Sequence, residues 1–306
     1  MKHIGEKMVD KKRATDVNEQ IAKLKLRGMI IDDDQKAKEY LLDIGYYRLG
    51  FYWFPFEKTY PKRTDRNHIL KPGTRMEYAI RLYYFDFDIR NLFLRYISRI
   101  EINFRTKVIY IVSNHYSTDP FWYADPSYFK ADFVSSSNYK KYLVALNELQ
   151  KETVISQDLK DHARKFAPAW KAIEHLTFGT VICIYDNLND AKLKGIIAKE
   201  FGLDSSKKFS NYINTLRFLR NQCAHGKVLF DLHLPQAIRD SKWVKPGEGK
   251  TKLSGAYMVL KYMLGFVSTN RMDELSKTMK NIFSSIDLPE VRDVIEKSSG
   301  LNDKLL

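Results

Sequence analysis

The chain has 306 residues, 44% hydrophobic and 29% charged, which is the composition of a globular protein long enough to bury a core. Its 51 lysines and arginines against 37 aspartates and glutamates give a net charge of +14. That excess favours a polyanionic partner, nucleic acid before an anionic membrane surface, although an ordinary basic protein is the alternative.

The N-terminus, MKHIGEKMVDKKRATD (1–16), lacks the apolar segment of a secretory signal, and no apolar run approaches the roughly 18 residues of a membrane span. Two cysteines are too few for a disulfide framework or a four-thiolate zinc site. The histidines show neither HExxH nor HxH spacing. The sequence therefore predicts a cytoplasmic protein with no metal site, no cofactor and no membrane partner.

The first 75 residues predict two helices, an aromatic block and a loop. Residues 15–27 begin at a Thr–Asp cap and end at Gly28, and an aspartate cap begins a second, short helix that ends near Gly45. The aromatic block YYRLGFYWFPFEKTY (46–60) follows. The polar, proline-containing loop 61–74 is the best candidate for a boundary in this part of the chain.

Helical periodicity dominates the rest of the chain. Residues 76–113 contain no proline or glycine and predict one long helix. Its apolar residues recur at steps of three and four: Leu82, Phe85, Ile89, Leu92, Phe93, Tyr96, Ile97, Ile100, Phe104, Val108 and Ile111. Further helices are predicted at 138–152, 155–166, 168–188, 190–202, 206–225, 255–268, 271–284 and 288–297, with a basic loop at 234–255. The predicted fold class is all-α.

The predicted domain organisation has three parts. Residues 1–65 form an N-terminal helical and aromatic subdomain, residues 66–230 form the helical core, and residues 231–306 form the basic loop and the C-terminal helices.

The segment RFLRNQCAHG (217–226) concentrates polar residues at the end of a predicted helix. Arg220 lies beside the apolar stripe of that helix, where a guanidinium needs an anion or a carboxylate because it does not lose its proton. Gly226 is typical of the position after a helix, which places His225 at the helix end. The stripe itself consists of Phe209, Tyr212, Leu216, Leu219 and Cys223.

An arginine that binds phosphate and a histidine that titrates near neutrality are the parts of an RNA-cleaving site. His225 would exchange protons with the 2′-hydroxyl or the leaving oxygen, and Arg220 would stabilise the phosphorane charge. Asn221 would hydrogen-bond the histidine or hold the helix end. The alternative is a basic helix C-terminus with an ordinary glycine cap. Five helical residues turn through about 140°, so one regular helix directs the two side chains apart.

RFLRNQCAHG resembles the R-x4-6-H signature of HEPN ribonucleases, including the common asparagine after the arginine. The chain as a whole resembles the Abi-like abortive-infection proteins of bacteria, the AbiD/AbiF group, over most of residues 19–230. The region after Asp231 adds nothing to this resemblance. The blocks that carry it are 19–53, 82–112, 120–123, 170–185 and 216–226.

The resemblance implies a HEPN-type helical bundle, here with N-terminal and C-terminal helical extensions and with residues 66–230 as the HEPN-like core. It implies a homodimer in which Arg and His from two chains share one active site. Arg220 and His225 match the catalytic pair of the family, and Asn221 matches its supporting position. The implied activity is that of a metal-independent endoribonuclease toxin in anti-phage defence, paired with an antitoxin that is a small RNA in related proteins.

Two acidic residues are candidates for orienting the site. HEPN domains often carry a carboxylate on an early helix, and Glu101 in RIEINFR resembles that position. The alternative for Glu101 is an intrahelical pair with Arg105, four residues later. Glu174 in WKAIEHLTFG is the second candidate.

The predicted RNA-binding residues are Arg105, Arg48, Lys58, Lys242, Trp243 and Lys245. The aromatic block would stack unpaired bases near Arg48 and Lys58, or form core instead. The basic loop would bind RNA, or it would be a solvent-exposed loop with no binding role. Two rival functions also remain: a non-catalytic RNA-binding regulatory dimer that retains the HEPN fold, and a helical scaffold for protein interactions.

Overall fold

The computed structural model describes residues 13–306. The absence of a secretory signal was predicted from residues 1–16, most of which lie outside the described residues. Within 13–306 the regular secondary structure is helical, with isolated β-bridges and no β-strand. The predicted all-α class is confirmed. No helix in this range is long and apolar enough to span a membrane.

The chain folds into two compact units. The N-terminal unit comprises the described residues up to Phe85 together with Leu288–Val294, and the motif unit comprises Asp86–Asp287 and Ile295–Leu306. The N-terminal unit contains α1 (Val17–Leu26), α2 (Asp34–Tyr40), a π-turn (Leu41–Gly45), α3 (Tyr46–Trp53) and a 3-10 turn (Phe54–Phe56).

Local sequence explains where α1 begins and ends. The Asp16 carboxylate accepts the Glu19 N–H while the Glu19 side chain accepts the Asp16 N–H, a capping box that satisfies two free donors. Gly28 follows the helix with φ +93°, a conformation that a side chain would strain.

The aromatic block is mostly core of the N-terminal unit. Tyr52, Trp53 and Phe56 are each at most 5% exposed, whereas Tyr47 is 82% exposed on the opposite face of α3. The loop after the block is anchored by Glu57, which is buried and accepts two hydrogen bonds from the Arg66 guanidinium at 2.9 and 2.5 Å.

The long helix α4 (Met76–His115) begins at the predicted residue and extends two residues beyond the predicted end. Every member of its predicted apolar stripe is buried except Ile111, which is half-exposed, and Val112 is buried beside it. Its first ten residues belong to the N-terminal unit and the remainder to the motif unit.

The motif unit contains the other helices. These are α5 (Ala131–Val134), α6 (Ser137–Leu149), α7 (Thr153–Asp161), α8 (Ala169–Ala172), α9 (Phe178–Asn187), α10 (Ala191–Lys199), α11 (Ser206–Ala224), α12 (Leu253–Gly265), α13 (Thr269–Ser284) and, from Ile295 on, the end of α14 (Pro289–Ser299). The single helix predicted at 168–188 is wrong, since α8 and α9 are separate. The Thr177 hydroxyl accepts the Thr180 N–H and so caps a new helix where the prediction had continued the old one.

Aromatic packing sets α11 against α4. The Phe104 ring of α4 contacts Phe178, Tyr185 and Phe209, with the Phe209 centroid 5.6 Å away. Asp86, near the start of α4, contacts the chain just after α11. Because residue 104 meets residue 209 and residue 86 meets residue 229, the two helices run antiparallel.

Candidate active site

Helix α11 buries one face and exposes the other. Its N-cap is Ser205, whose hydroxyl accepts the Lys208 N–H. The opposite face presents Arg217, Asn221 and Ala224 to solvent. All five residues of the predicted stripe are buried, at 4% exposure or less: Phe209, Tyr212, Leu216, Leu219 and Cys223.

The end of α11 is a closed glycine cap. Gly226 adopts φ +61°, and its N–H donates to the Cys223 carbonyl at 3.1 Å while the Lys227 N–H donates to the Gln222 carbonyl at 2.9 Å. This pair of bonds is the Schellman motif, which satisfies carbonyls that the helix leaves open. His225 is therefore the last residue before the glycine, at the helix end that the sequence predicted.

Arg220 and Asn221 are joined by a hydrogen bond, and His225 extends into solvent. Arg220 is half-buried, and its Nη1 donates to Asn221 Oδ1 at 3.3 Å. Within residues 13–306 no carboxylate pairs with Arg220, and the exposed His225 ring makes no hydrogen bond. A neutral amide thus orients the arginine without neutralising it, so its charge is available to an anion. Asn221 supports Arg220 rather than His225.

Glu101 and Glu174 both contact Arg105. Arg105 Nη2 donates to Glu101 Oε1 at 3.3 Å and to the Leu176 carbonyl at 3.0 Å, and its Nη1 lies 3.7 Å from Glu174 Oε2. In the described chain neither glutamate has a hydrogen bond or an ion pair with Arg220 or His225. The intrahelical Glu101–Arg105 pair is therefore what the structure shows. These three residues form one cluster that ties α4 to the turn before α9.

The tip of the basic loop presents Lys242 and Trp243. Trp243 is 65% exposed, and Lys242 Nζ lies 4.8 Å from the centre of its ring. The neighbouring Val244 is buried and its N–H donates to the Ser241 hydroxyl, so the turn holds the tryptophan outward. Lys245 is exposed beside it. An exposed indole next to cations suits base stacking and phosphate contact.

The loop is anchored to α11 through Asn211. This buried side chain of α11 donates to the Ala237 carbonyl at 3.1 Å and accepts the Arg239 N–H at 2.8 Å. The remaining predicted RNA-binding residues, Arg48 and Lys58, have exposed side chains in the N-terminal unit.

A buried ion pair that sequence reasoning missed holds the segment after the motif. Asp86 is 0% exposed, and its two carboxylate oxygens accept the N–H groups of Leu229 at 2.7 Å and Phe230 at 2.8 Å. Arg90, one turn along α4, lies 3.6 Å from Asp86 Oδ2 and donates to the Lys227 carbonyl at 3.2 Å. The available signal was DFDIR (86–90), in which Asp86 and Arg90 lie four residues apart, at helical spacing, within an apolar stripe.

The cysteine inside the motif is structural. Cys223 is 4% exposed, and burial raises the pKa of its thiol to about 12, partly opposed by the nearby Arg90. It therefore stays protonated near pH 7 and is no nucleophile. In the described part of the chain no three His, Cys, Asp or Glu side chains are grouped so as to hold a metal ion.

Comparison with known proteins places this site within a family. A family model described as Abi-like protein matches residues 39–231, which is well over half of the chain. The match contains α4, α11 and the RNQCAHG segment and ends one residue after Phe230. No curated protein and no solved structure matches the chain.

Proposed function

Because the chain belongs to the Abi-like protein family, whose name points to abortive infection, we propose that it is a HEPN-type endoribonuclease toxin of an anti-phage abortive-infection system. The observation that carries the proposal is the pairing of Arg220, which no carboxylate neutralises within residues 13–306, with an exposed His225 at the helix end. Both residues lie in the part of the chain that matches the family.

The proposed reaction is an internal transesterification of RNA. His225 accepts the proton of a ribose 2′-hydroxyl, the 2′-oxygen forms a bond to the adjacent phosphorus, and the bond to the 5′-oxygen breaks. A second histidine donates the proton that this 5′-oxygen takes up. Arg220 stabilises the added negative charge on the phosphoryl oxygens. The products are a 2′,3′-cyclic phosphate and a 5′-hydroxyl, and no metal ion is needed.

Two chains supply the two histidines in this mechanism. Arg220 and His225 are separated by about 140° around the helix axis, so a single chain directs them apart. A twofold axis beside the end of α11 brings the Arg220 of one protomer to the His225 of its partner. The active site is thus shared across a homodimer.

RNA binding rests on charge outside the catalytic pair. The net charge of +14 favours a polyanion. Lys242, Trp243 and Lys245 form an exposed basic and aromatic tip on a loop that is anchored to α11. Arg48 and Lys58 add exposed cations in the N-terminal unit. A nuclease of this kind acts on cytoplasmic RNA, and a small RNA that occupies these surfaces would serve as its antitoxin.

The first prediction concerns the chemistry of cleavage. Purified protein should cut single-stranded RNA in the presence of EDTA and leave 2′,3′-cyclic phosphate ends, because the attacking group is the 2′-hydroxyl. Replacing that one hydroxyl by hydrogen at the cleaved position should abolish cutting. The measurement is gel separation of end-labelled RNA with mapping of the product ends. Loss of activity in EDTA that added magnesium restores would show a different mechanism. Tight binding without any cutting would indicate the regulatory RNA-binding dimer instead.

The second prediction concerns the shared site. Arg220→Ala and His225→Ala homodimers should each be inactive, whereas mixed dimers should recover part of the activity, because one Arg220 and one His225 then meet across the twofold axis while the second histidine is absent. The measurement is RNA cleavage by differently tagged subunits that are co-expressed and purified as mixed dimers. Doubly substituted subunits mixed with wild type serve as the control. Mixed dimers that form but cut RNA no faster than either homodimer would contradict the shared site.

A further inference from the structure

A polar cleft in the motif unit lies one helical turn before Arg220 along α11. Helices α6, α9 and α11 line it, and its volume is about 520 Å3, within the range of sites that hold one small ligand. Arg217 and Lys141 contribute positive charge, and Asn138, Asn187 and Asn214 contribute amides. This combination suits a nucleotide, because cations pair with its phosphate and amides form hydrogen bonds with the edge of its base.

Arg217 faces this cleft without a partner. Its side chain is exposed and has no hydrogen bond or ion pair within residues 13–306. Its stem lies against Gly179, where an added Cβ would come 3.5 Å from the Arg217 Cδ. It is also close enough to Cys183 to oppose the rise that burial causes in the pKa of that thiol. A guanidinium held at a cleft wall and left unpaired is suited to an incoming phosphate.

The acidic residue in the cleft is already engaged. Asp186 is the one carboxylate among the described lining residues, and both its oxygens accept hydrogen bonds from α11. The Ser210 hydroxyl donates to Oδ1, and the Asn214 amide donates to Oδ2 at 3.0 Å. Asp186 thus orients Asn214 so that its amide oxygen is left for a ligand. Because the lining includes two cations, Arg217 and Lys141, and one carboxylate, Asp186, the cleft retains net positive charge.

Arg217 lies both in the cleft and next to Arg220 and Asn221 on α11. Arg217 precedes Arg220 by three residues and Asn221 by four, so the three side chains are neighbours on one face of α11, with Cβ atoms about 5–6 Å apart. That separation is of the order of the step between neighbouring phosphates of one strand. A strand whose cleaved phosphate is at Arg220 would place its next phosphate at Arg217.

We propose that this cleft binds the nucleotide next to the cleaved phosphodiester of single-stranded RNA. Arg217 and Lys141 hold its phosphate, and Asn138 and Asn214 contact its base. The flanking position rests on the proposed nuclease function, whereas the binding of RNA by the cleft does not. The cleft would therefore contribute both affinity and base preference next to the cut.

The test measures binding of a fluorescent single-stranded oligoribonucleotide of about ten residues to the His225→Ala protein, which leaves the RNA intact. Arg217→Ala should raise Kd roughly 10-fold or more, since a charged hydrogen bond to phosphate is lost. It should also lower the slope of log Kd against log salt by about 1. Arg217→Lys should fall between. Lys207→Ala, which removes an exposed charge from the same helix away from the cleft, is the matched control.

Asn138→Ala provides a second readout. It should leave the salt slope unchanged and reduce the difference in Kd between oligo(A), oligo(C) and oligo(U), because a base contact rather than a phosphate contact is removed. In the otherwise unmodified protein Arg217→Ala should raise KM more than it lowers kcat. Circular dichroism checks that each variant folds.

The outcomes separate the two proposals. If Arg217→Ala binds RNA as tightly as Lys207→Ala does, the cleft proposal is overturned even when the wild type cuts RNA. If Arg217→Ala loses affinity but the wild type never cuts RNA, the cleft binds RNA and the nuclease proposal fails.

Discussion

Replacing His225 by alanine is expected to reduce RNA cleavage by about 100- to 10,000-fold, which is the contribution of a positioned general acid or base. In the proposed shared site the substitution removes both the base and the acid, so the larger loss is expected. Folding should be unaffected, because the ring is exposed and makes no hydrogen bond within residues 13–306. The measurement is the single-turnover cleavage rate of labelled RNA, with growth of expressing cells as an independent readout.

His233→Ala is the matched control for that experiment. His233 is another exposed histidine of the motif unit, eight residues further on, and its Nδ1 lies 3.0 Å from the Asp231 carbonyl oxygen. The His233→Ala protein should cut RNA and arrest growth like the wild type. Equal cleavage by the His225→Ala and wild-type proteins would show that His225 takes no part in the reaction. It would then be only the last residue before the glycine cap of α11.

Replacing Asp86 by alanine is expected to lower the free energy of unfolding by about 3–5 kcal/mol, because breaking a buried ion pair leaves an uncompensated charge. The substitution removes the carboxylate that accepts the Leu229 and Phe230 N–H groups and that lies beside the buried Arg90. Asp86→Asn should cost less, since one amide oxygen still accepts one N–H. Urea denaturation followed by circular dichroism measures the change.

Asp88→Ala is the control for the buried pair. Asp88 lies two residues further along the same helix, is exposed, and makes no hydrogen bond or ion pair within residues 13–306. Its substitution should change stability by no more than about 0.5 kcal/mol. Equal effects of the Asp86 and Asp88 substitutions would contradict the role given to the pair.

The buried pair also explains how the end of α11 is held. The Schellman bonds close the helix locally, but the chain that follows needs a partner within the core. Asp86 and Arg90 provide it by binding Lys227, Leu229 and Phe230 through their backbone groups. Substitutions at Asp86 should therefore disturb His225 as well as stability, whereas substitutions at His225 should leave stability unchanged.

Much of the fold could be predicted because it depends on local pattern. The steps of three and four along α4 and α11, and the glycine after His225, predict helices and a helix end without reference to any other part of the chain. The prediction failed at Thr177, where a local cap begins a new helix within a continuous periodic pattern. It also missed α3, because the many aromatic residues of that segment obscure the helical periodicity.

The sequence by itself determined the all-α class, the Arg220–His225 spacing and the membership of a family, since all three reside in residue order. Only the tertiary structure decided what each side chain contacts. It showed that Asn221 orients Arg220, that Arg105 engages Glu101 and Glu174, and that Asp86 reaches a segment more than 140 residues away. Such contacts form because antiparallel helices bring together residues that are far apart in the sequence. Neither periodicity nor spacing along the chain indicates which distant residues become neighbours.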